Sequence, residues 1–348
     1  MRIGILTGGG DAPGLNAVIR GFVLRSRQLG HEPVGILHGW KGLLERESRE
    51  LTADDVADIH RTGGTILKTT RTNPVKDEAT KKKALAGYKA LKLDALVAVG
   101  GDDTLGACAK LAADGLKAVG VPKTIDNDLH GTDVTFGYDT AVNIATDALD
   151  RLHTTADSHE RCLVVEIMGR HAGWITWAAG LAGGAHVILL PEEKFDVHEV
   201  AEVVKRRDAD GHGYTLIAVS EGATPTDTTG FVTQTDKRDE FGNVRLGGIG
   251  EKLAKRIEEL TKKETRHVVL GHLQRGGPPS AFDRVLGLRL GVAAAELVDR
   301  KAFGQMVALR GTKVEAVPLS EAAKGYRVVP DEDVRLARRL WSLEQVRA

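Results

Sequence analysis

Cysteine, aromatic residues and net charge are all scarce in this chain of 348 residues. There are only two cysteines, Cys108 and Cys162. They lie in apolar segments without metal-type spacing, which argues against a disulfide framework and predicts two reduced core thiols. Lysine plus arginine total 48 and aspartate plus glutamate 48, so the formal net charge is zero. That balance argues against a nucleic acid or a membrane held by bulk charge, but leaves room for local basic clusters that bind a small anion. The opening "MRIGILTGGG" has no apolar stretch long enough for a signal peptide or membrane span, so a cytoplasmic protein is expected.

Glycine, by contrast, is abundant: 41 residues, against about 7% in average proteins, which predicts many tight turns and close backbone approaches. The length suits two domains or one large α/β unit. Short β-branched runs ending in glycine, such as "RIGILTGGG", "HEPVGILHG", "LDALVAVGGDD" and "LKAVGVPKTIDND", alternate with the helical patterns "GLNAVIRGFVLRSRQLG", "ATKKKALAGYKALK" and "DTLGACAKLAADG". Strands without polar alternation, separated by helices, predict a parallel sheet covered on both faces. Ligands of such sheets bind at the carboxyl ends of the strands, where these Gly/Asp-rich stretches fall. The pattern resumes in "RCLVVEIMGRHAGWI", "GAHVILLPE", "YTLIAVSEGA" and "RHVVLGHLQRGG", so a second αβ unit is expected from about residue 139. Residues 224–245, polar and turn-rich, read as a surface excursion or hairpin.

Four stretches carry chemistry. "TGGGDAPGLNAVIRG" (7–21) places three glycines between a strand and a helix, a turn able to hold an anion with N–H groups and the helix dipole. It has neither the G-x-G-x-x-G spacing nor the G-K-S/T of a P-loop, so a plain tight turn, with Asp11 capping the helix, fits equally. In "GGDDT" (100–104) a carboxylate can hold a divalent cation beside phosphate oxygens, or cap the next helix. "GVPKTIDND" (120–128) is the sharpest signal, because Lys123, Thr124, Asp126 and Asp128 within six residues exceed what a structural loop needs. An aspartate there can accept the proton of an attacking hydroxyl. Basic residues recur at strand ends: Arg161, "MGR" (168–170), Arg266 just before a strand, and His272 and Arg275 just after it. Arginine forks match the oxygens of a phosphomonoester.

With these residues assembled, the chain resembles the phosphofructokinase family. "GGGDAPGLNAVIRG", "GGDDT", "PKTIDND", "MGRHAGW", "SEG" and "GHLQRGG" follow that family's order over roughly residues 1–320. The resemblance implies two Rossmann-like three-layer α/β domains with largely parallel sheets and an active site in the interdomain cleft. The larger, phosphoryl-donor domain would comprise residues 1–138 plus about 276–325. The smaller, sugar-phosphate domain would comprise about 139–275 with part of the C-terminus. Asp126 is implied as the base acting on the 1-hydroxyl of fructose 6-phosphate, and Asp102 as a ligand of Mg²⁺. Gly10, Arg71 and Thr104 would meet the donor. Thr124, Met168, Gly169, Arg170 and Glu221 would position the sugar, with Arg161, Arg266, His272 and Arg275 on its 6-phosphate. The family supplies the residues matching Arg161 and Arg266 from a neighbouring subunit, so a homo-oligomer (dimer or tetramer) with shared active sites is implied.

The second acid of "GGDDT" speaks to the donor. ATP-using members generally carry glycine at the positions of Asp103 and Lys123, whereas pyrophosphate-using members carry aspartate and lysine. A carboxylate at 103 would clash with and repel the α-phosphate of ATP, a group that pyrophosphate lacks, while Lys123 stabilises charge developing on the phosphates. The expectation is therefore reversible transfer from pyrophosphate to fructose 6-phosphate. The competing readings are an ATP-dependent 6-phosphofructokinase, a lipid or NAD kinase with a similar turn, and a non-catalytic sugar-phosphate sensor. The effector pocket of bacterial allosteric members aligns with Leu24, Asp210 and His212, which lack its cations, so little regulation is expected there.

Overall fold

The computed structural model describes residues 1–228, 233–238, 240–242 and 244–343. The first part of the chain runs Arg2–Thr7 (β1), Leu15–Gln28 (α1), Glu32–Ile36 (β2), Trp40–Glu45 (α2), Ser48–Glu50 (β3), Glu78–Ala90 (α3), Ala95–Gly100 (β4), Asp102–Ala113 (α4) and Ala118–Pro122 (β5). The long helix Tyr138–Ser158 (α5) leads into Cys162–Ile167 (β6), Trp174–Ala182 (α6), Val187–Leu189 (β7), Val197–Ala209 (α7) and Thr215–Ser220 (β8). Then follow Thr233–Arg238 (β9), Val244–Leu246 (β10), Ile249–Thr261 (α8), Thr265–Val269 (β11), Ala281–Asp299 (α9), Gln305–Arg310 (β12), Lys313–Pro318 (β13) and Asp331–Leu343 (α10).

Two sheets carry the ligand-facing loops. The larger has seven strands in the order β13-β12-β5-β4-β1-β2-β3, parallel except for the antiparallel edge strands β3 and β13. The smaller has four parallel strands in the order β11-β6-β8-β7. In the larger sheet β2 lies on one side of β1 and β4 on the other, so the chain reverses direction between β1 and β4. A crevice forms at such a switch point, outside the carboxyl ends of the strands.

The apolar runs are continuous because both faces of each sheet are covered. Ala95, Val97 and Val99 of β4 face α1 and α9, where Val18, Phe22, Leu290 and Ala294 are fully buried. Leu96 and Ala98 point the other way, onto Leu105, Cys108 and Leu111 of α4. In the smaller sheet Cys162 and Val164 meet α7 and α8, while Leu163, Val165 and Ile167 meet α5 and α6. Helices α1 and α9 lie backbone to backbone: a Cβ on Gly291 would sit 2.2 Å from the Val18 carbonyl oxygen. No larger residue fits that contact.

The α/β class with largely parallel sheets agrees with the sequence reading, and several details correct it. Helix α1 is capped by Gly14 in a left-handed conformation, so Asp11 is not its cap. Helix α4 is capped by Gly101, which makes Asp102 and Asp103 its first turn rather than its cap. Arg266 is the second residue of β11, paired with Leu163, instead of preceding the strand. Strands β9 and β10 pair antiparallel over the second half of 224–245 and as far as Leu246, while part of that stretch lies outside the described residues. Both cysteines are free and buried, and burial pushes each thiol up to about 12. Among the described residues no helix is long and apolar enough to cross a membrane.

Candidate active site

The first wall of the crevice is built from the turns after β1, β4 and β5. Gly8 donates to the Val99 carbonyl (2.9 Å) and Gly9 to the Thr70 carbonyl (3.1 Å), which fixes the glycine turn against β4 and beside Arg71. Thr104 is wedged beneath it, 2% exposed, and a Cβ on Gly8 would lie 2.6 Å from its hydroxyl. Thr104 therefore supports the glycine turn from below. Two cations bracket the turn: Lys123 donates its ammonium to the Gly10 carbonyl, and Arg275 donates to the Asp11 carbonyl at 3.0 Å. Asp102 and Asp103 occupy the first turn of α4, where the helix dipole favours negative charge.

The "TIDND" loop follows β5. The Asp126 amide donates to Thr124 Oγ1 (3.0 Å), Thr135 Oγ1 donates to the Thr124 carbonyl (2.8 Å), and Asn127 Oδ1 accepts from the Thr135 amide (3.0 Å). Asn127 takes a left-handed φ of 54°, a conformation asparagine tolerates better than most residues. This turn places Asp126 and Asp128 in the cleft, 3% and 5% exposed. Asp126 Oδ1 has no hydrogen-bond partner among the described residues. A buried carboxylate oxygen left open is costly unless a ligand supplies a donor. Burial, then the charges of Asp126 and Asp102, push Asp128 up to about 7, with Arg170 acting in the opposite sense. Lys123, 4% exposed, is drawn down to about 8 by burial and by Arg275, while Asp126, Asp11 and Asp102 favour its charge.

The second wall comes from the ends of β6, β8 and β11. The Met168 amide donates to Gln274 Oε1 (3.0 Å), and the Gly169 and Arg170 amides both donate to Glu221 Oε1 (3.3 and 3.1 Å). Glu221 is held in turn by its own amide on the Ile167 carbonyl, 2.8 Å away. Burial and the neighbouring Asp126 raise its pKa, against the two amides. Burial also works against the charge of Arg170, but Asp126, Asp102, Tyr326 and Asp103 outweigh it and hold the guanidinium strongly protonated. Asp126, borne on the first wall, thus acts on Glu221 and Arg170 of the second.

The remaining expected residues are dispersed. Arg161 precedes β6 and Met168 follows it, so six residues of strand, about 20 Å, separate them. Arg161 and Arg266 meet each other instead, sharing Glu264 at 2.8 and 2.6 Å. His272 is exposed on the short 3-10 turn Gly271–Arg275 beside Leu273, which is 71% exposed. Arg275, on the same turn, reaches the Asp11 carbonyl of the glycine turn rather than open solvent. Leu24 packs half-buried on the first core, and Asp210 and His212 are exposed after α7. Tyr326 and Arg327, to which the sequence reading gave no role, come in from the C-terminal segment to His171 (ring centroids 4.8 Å) and Trp174 (4.4 Å). "KGYRVVP" has no feature that would mark them, since their partners lie far away in sequence.

The donor set suits Mg²⁺ with phosphate better than a metal caged by protein alone. Among the described residues no group of three or more His, Cys, Asp or Glu side chains is arranged to hold a metal. Mg²⁺ needs only one or two carboxylates when phosphate oxygens and water complete its shell. Asp102 at the cleft, with Asp126 and Asp128 crowding negative charge beside it, meets that requirement.

A family model described as "Phosphofructokinase" matches residues 2–298. A protein of Amycolatopsis methanolica named pyrophosphate–fructose 6-phosphate 1-phosphotransferase is 55% identical over 333 residues, covering 95% of this chain and 97% of that one. A Streptomyces coelicolor protein named ATP-dependent 6-phosphofructokinase 3 is 48% identical over 332 residues, covering 95% and 97%. The crystal structure of a pyrophosphate-dependent phosphofructokinase from Nitrosospira multiformis superposes with a TM-score of 0.83 at 22% identity, covering 98% of this chain and 91% of that one, and so shares the fold.

Proposed function

The chain belongs to the phosphofructokinase family, and we propose that it moves a phosphoryl group from pyrophosphate to the 1-hydroxyl of fructose 6-phosphate. The products are fructose 1,6-bisphosphate and phosphate, and the transfer is reversible. One observation supports the choice of donor. Asp103 stands in the first turn of α4, where its carboxylate would repel an α-phosphate, and Lys123 lies buried on the Gly10 carbonyl, where it would stabilise charge on the phosphates. Asp126, with one carboxylate oxygen open, takes the proton from the sugar hydroxyl as its oxygen attacks the terminal phosphorus. Lys123 and the Gly9–Gly10 turn stabilise the charge that develops on the phosphates. The turn Met168–Arg170, held rigid by Gln274 and Glu221 on its amides, orients the sugar. Asp102 would hold Mg²⁺, which supplies charge neutralisation to the phosphates when bound.

The seven-stranded sheet and its loops, residues 1–138 with about 276–325, form the donor body. Residues 139–275, with α10 packed on β7, form the sugar-phosphate body. His272 is the same-chain part of the 6-phosphate site, with Arg275 of the same turn between it and the Asp11 carbonyl, and a neighbouring subunit's Arg161 and Arg266 complete it. The separation of about 20 Å within one chain supports this sharing, as do the exposed apolar residues Val269 and Leu273 beside that edge. The protein is thus a cytoplasmic homo-oligomer. Mixing Arg266→Ala protein with Asp126→Asn protein should restore activity that neither has alone, because one shared site of the hybrid is intact.

The deciding assay compares pyrophosphate with ATP as donor to fructose 6-phosphate and Mg²⁺. Equal use of the two donors overturns the pyrophosphate reading. Asp103→Gly should bring measurable ATP binding, and unchanged ATP affinity in that variant would remove the blocking role from this carboxylate.

A further inference from the structure

Residues 326–329 lie between the two walls, and Arg327 is bonded to both. Its amide donates to the Asp128 carbonyl (2.7 Å), and its Nη2 donates to the carbonyls of Asn127 (2.9 Å) and Asp133 (2.8 Å). On the opposite side, Trp174 Nε1 donates to the Arg327 carbonyl (2.8 Å), and the guanidinium lies over the Trp174 ring at 4.4 Å. Glu192 makes a second fastening, accepting the Val329 and Gly173 amides on one oxygen at 2.9 and 2.8 Å.

We propose that Arg327 is a positioning residue for the phosphoryl transfer: it fixes the loop bearing Asp126 relative to the turn bearing Met168–Arg170, and so sets the distance between base and sugar. This rests on the transferase reading above. The chemistry of the residue favours positioning over simple anchorage. Arg327 is half-buried and forms no ion pair with a carboxylate among the described residues, and its buried Nε has no hydrogen-bond partner. Burial pulls its pKa down, with Asp133, Tyr138 and Asp128 opposing. A half-buried guanidinium whose direct partners are carbonyls and a ring, with Asp133 and Asp128 acting on it only through their charge, is an expensive way to attach a tail. Apolar packing attaches the rest of the segment, with Ala337 of α10 buried on Ile188 and Leu190. What the guanidinium adds is a rigid planar fork that reaches two carbonyls of one loop while stacking on the other wall.

The test uses full-length protein carrying Arg327→Ala or Arg327→Lys. Misplacing reacting groups by about 1 Å costs on the order of 10²-fold, so kcat for Arg327→Ala should fall by about 10- to 100-fold. The KM for pyrophosphate should stay within about threefold, because Arg327 bonds to Asn127, Asp128 and Asp133 rather than to Gly10 or Lys123. Arg327→Lys, which keeps the charge without the fork, should fall between, and added guanidinium should restore part of the kcat of Arg327→Ala without restoring its melting temperature. Hydrogen exchange in the peptides around 124–128 and 169–174 should rise together in the alanine variant, a readout independent of the reaction catalysed. A kcat within twofold of the parent overturns the proposal, as does unchanged exchange in both peptides, or a loss that neither lysine nor guanidinium relieves. A parent protein that transfers nothing from pyrophosphate overturns the functional reading instead, while the exchange measurement still judges the tether.

Discussion

At the carboxyl ends of the seven-stranded sheet the functional groups are side chains, buried and of both signs. Lys123, Asp126 and Asp128 are each 5% exposed or less, and two of them titrate far from their ordinary values. At the four-stranded sheet the side chains Glu221 and Gln274 instead spend themselves on backbone, accepting the amides of Met168, Gly169 and Arg170 and so locking that turn. The difference follows from the task. Proton removal and charge stabilisation need ionised groups whose pKa values burial can move. Holding a sugar in one orientation needs a rigid frame, which these side-chain-to-backbone bonds give to the turn 168–170.

The sharpest way to break this comparison is to remove the base. Asp126→Asn should lower turnover by about 10²- to 10⁴-fold while leaving the KM for fructose 6-phosphate within a few-fold. Initial rates at saturating pyrophosphate measure it, and undiminished turnover would move the base elsewhere, first to Asp128. On the other wall, Glu221→Ala should act mainly on binding. Losing the carboxylate that orders two amides costs about 1.5–3 kcal/mol, so the KM for fructose 6-phosphate should rise roughly 10- to 150-fold. A larger fall in kcat than rise in KM would mean that this wall also does chemistry.

Two smaller effects depend on pH. Lys123 is held down near 8, so it carries charge at neutral pH and loses it as pH rises through that value. The pyrophosphate rate should decline above about pH 8, and a Lys123→Gly variant, already slow, should lack that decline. Asp128 is raised to about 7 in the folded chain from an ordinary 3.8. Its contribution to stability is therefore present below pH 3.8 and lost as pH rises through 7. In protein without Mg²⁺, Asp128→Asn should raise the melting temperature at pH 8 by a few degrees, and by less at pH 5. An equal shift at both pH values would show that the carboxylate's charge is not the cause.

The chemistry of the first wall was legible because it is local. "GGDDT" and "PKTIDND" each hold several reactive groups within a few residues of a strand end, and a parallel sheet puts successive strand ends side by side. The second wall was legible only in part. The sequence marks Met168–Arg170 and Glu221 as neighbours of the cleft, but not that Glu221 acts through the backbone. Arg161 and Arg266 could not be placed from spacing, because their distance from Met168 depends on Arg161 lying at the start of β6 and on β11, which bears Arg266, pairing beside that end. Arg275 was assigned to the sugar end, yet its guanidinium rests on the Asp11 carbonyl.

By itself the sequence determined the α/β class, the glycine turns and the acid–lysine–hydroxyl loop. Each of these is set by neighbours in the chain or by a period repeated along it, while the donor preference at Asp103 and Lys123 came from the family resemblance. Tertiary structure alone decided that Thr104 supports the glycine turn from below, that Asp126 keeps one oxygen open, and that Arg327 reaches Asn127 across 200 residues. Such contacts are fixed by how packed layers bring distant segments together, and no local pattern of residues encodes that distance.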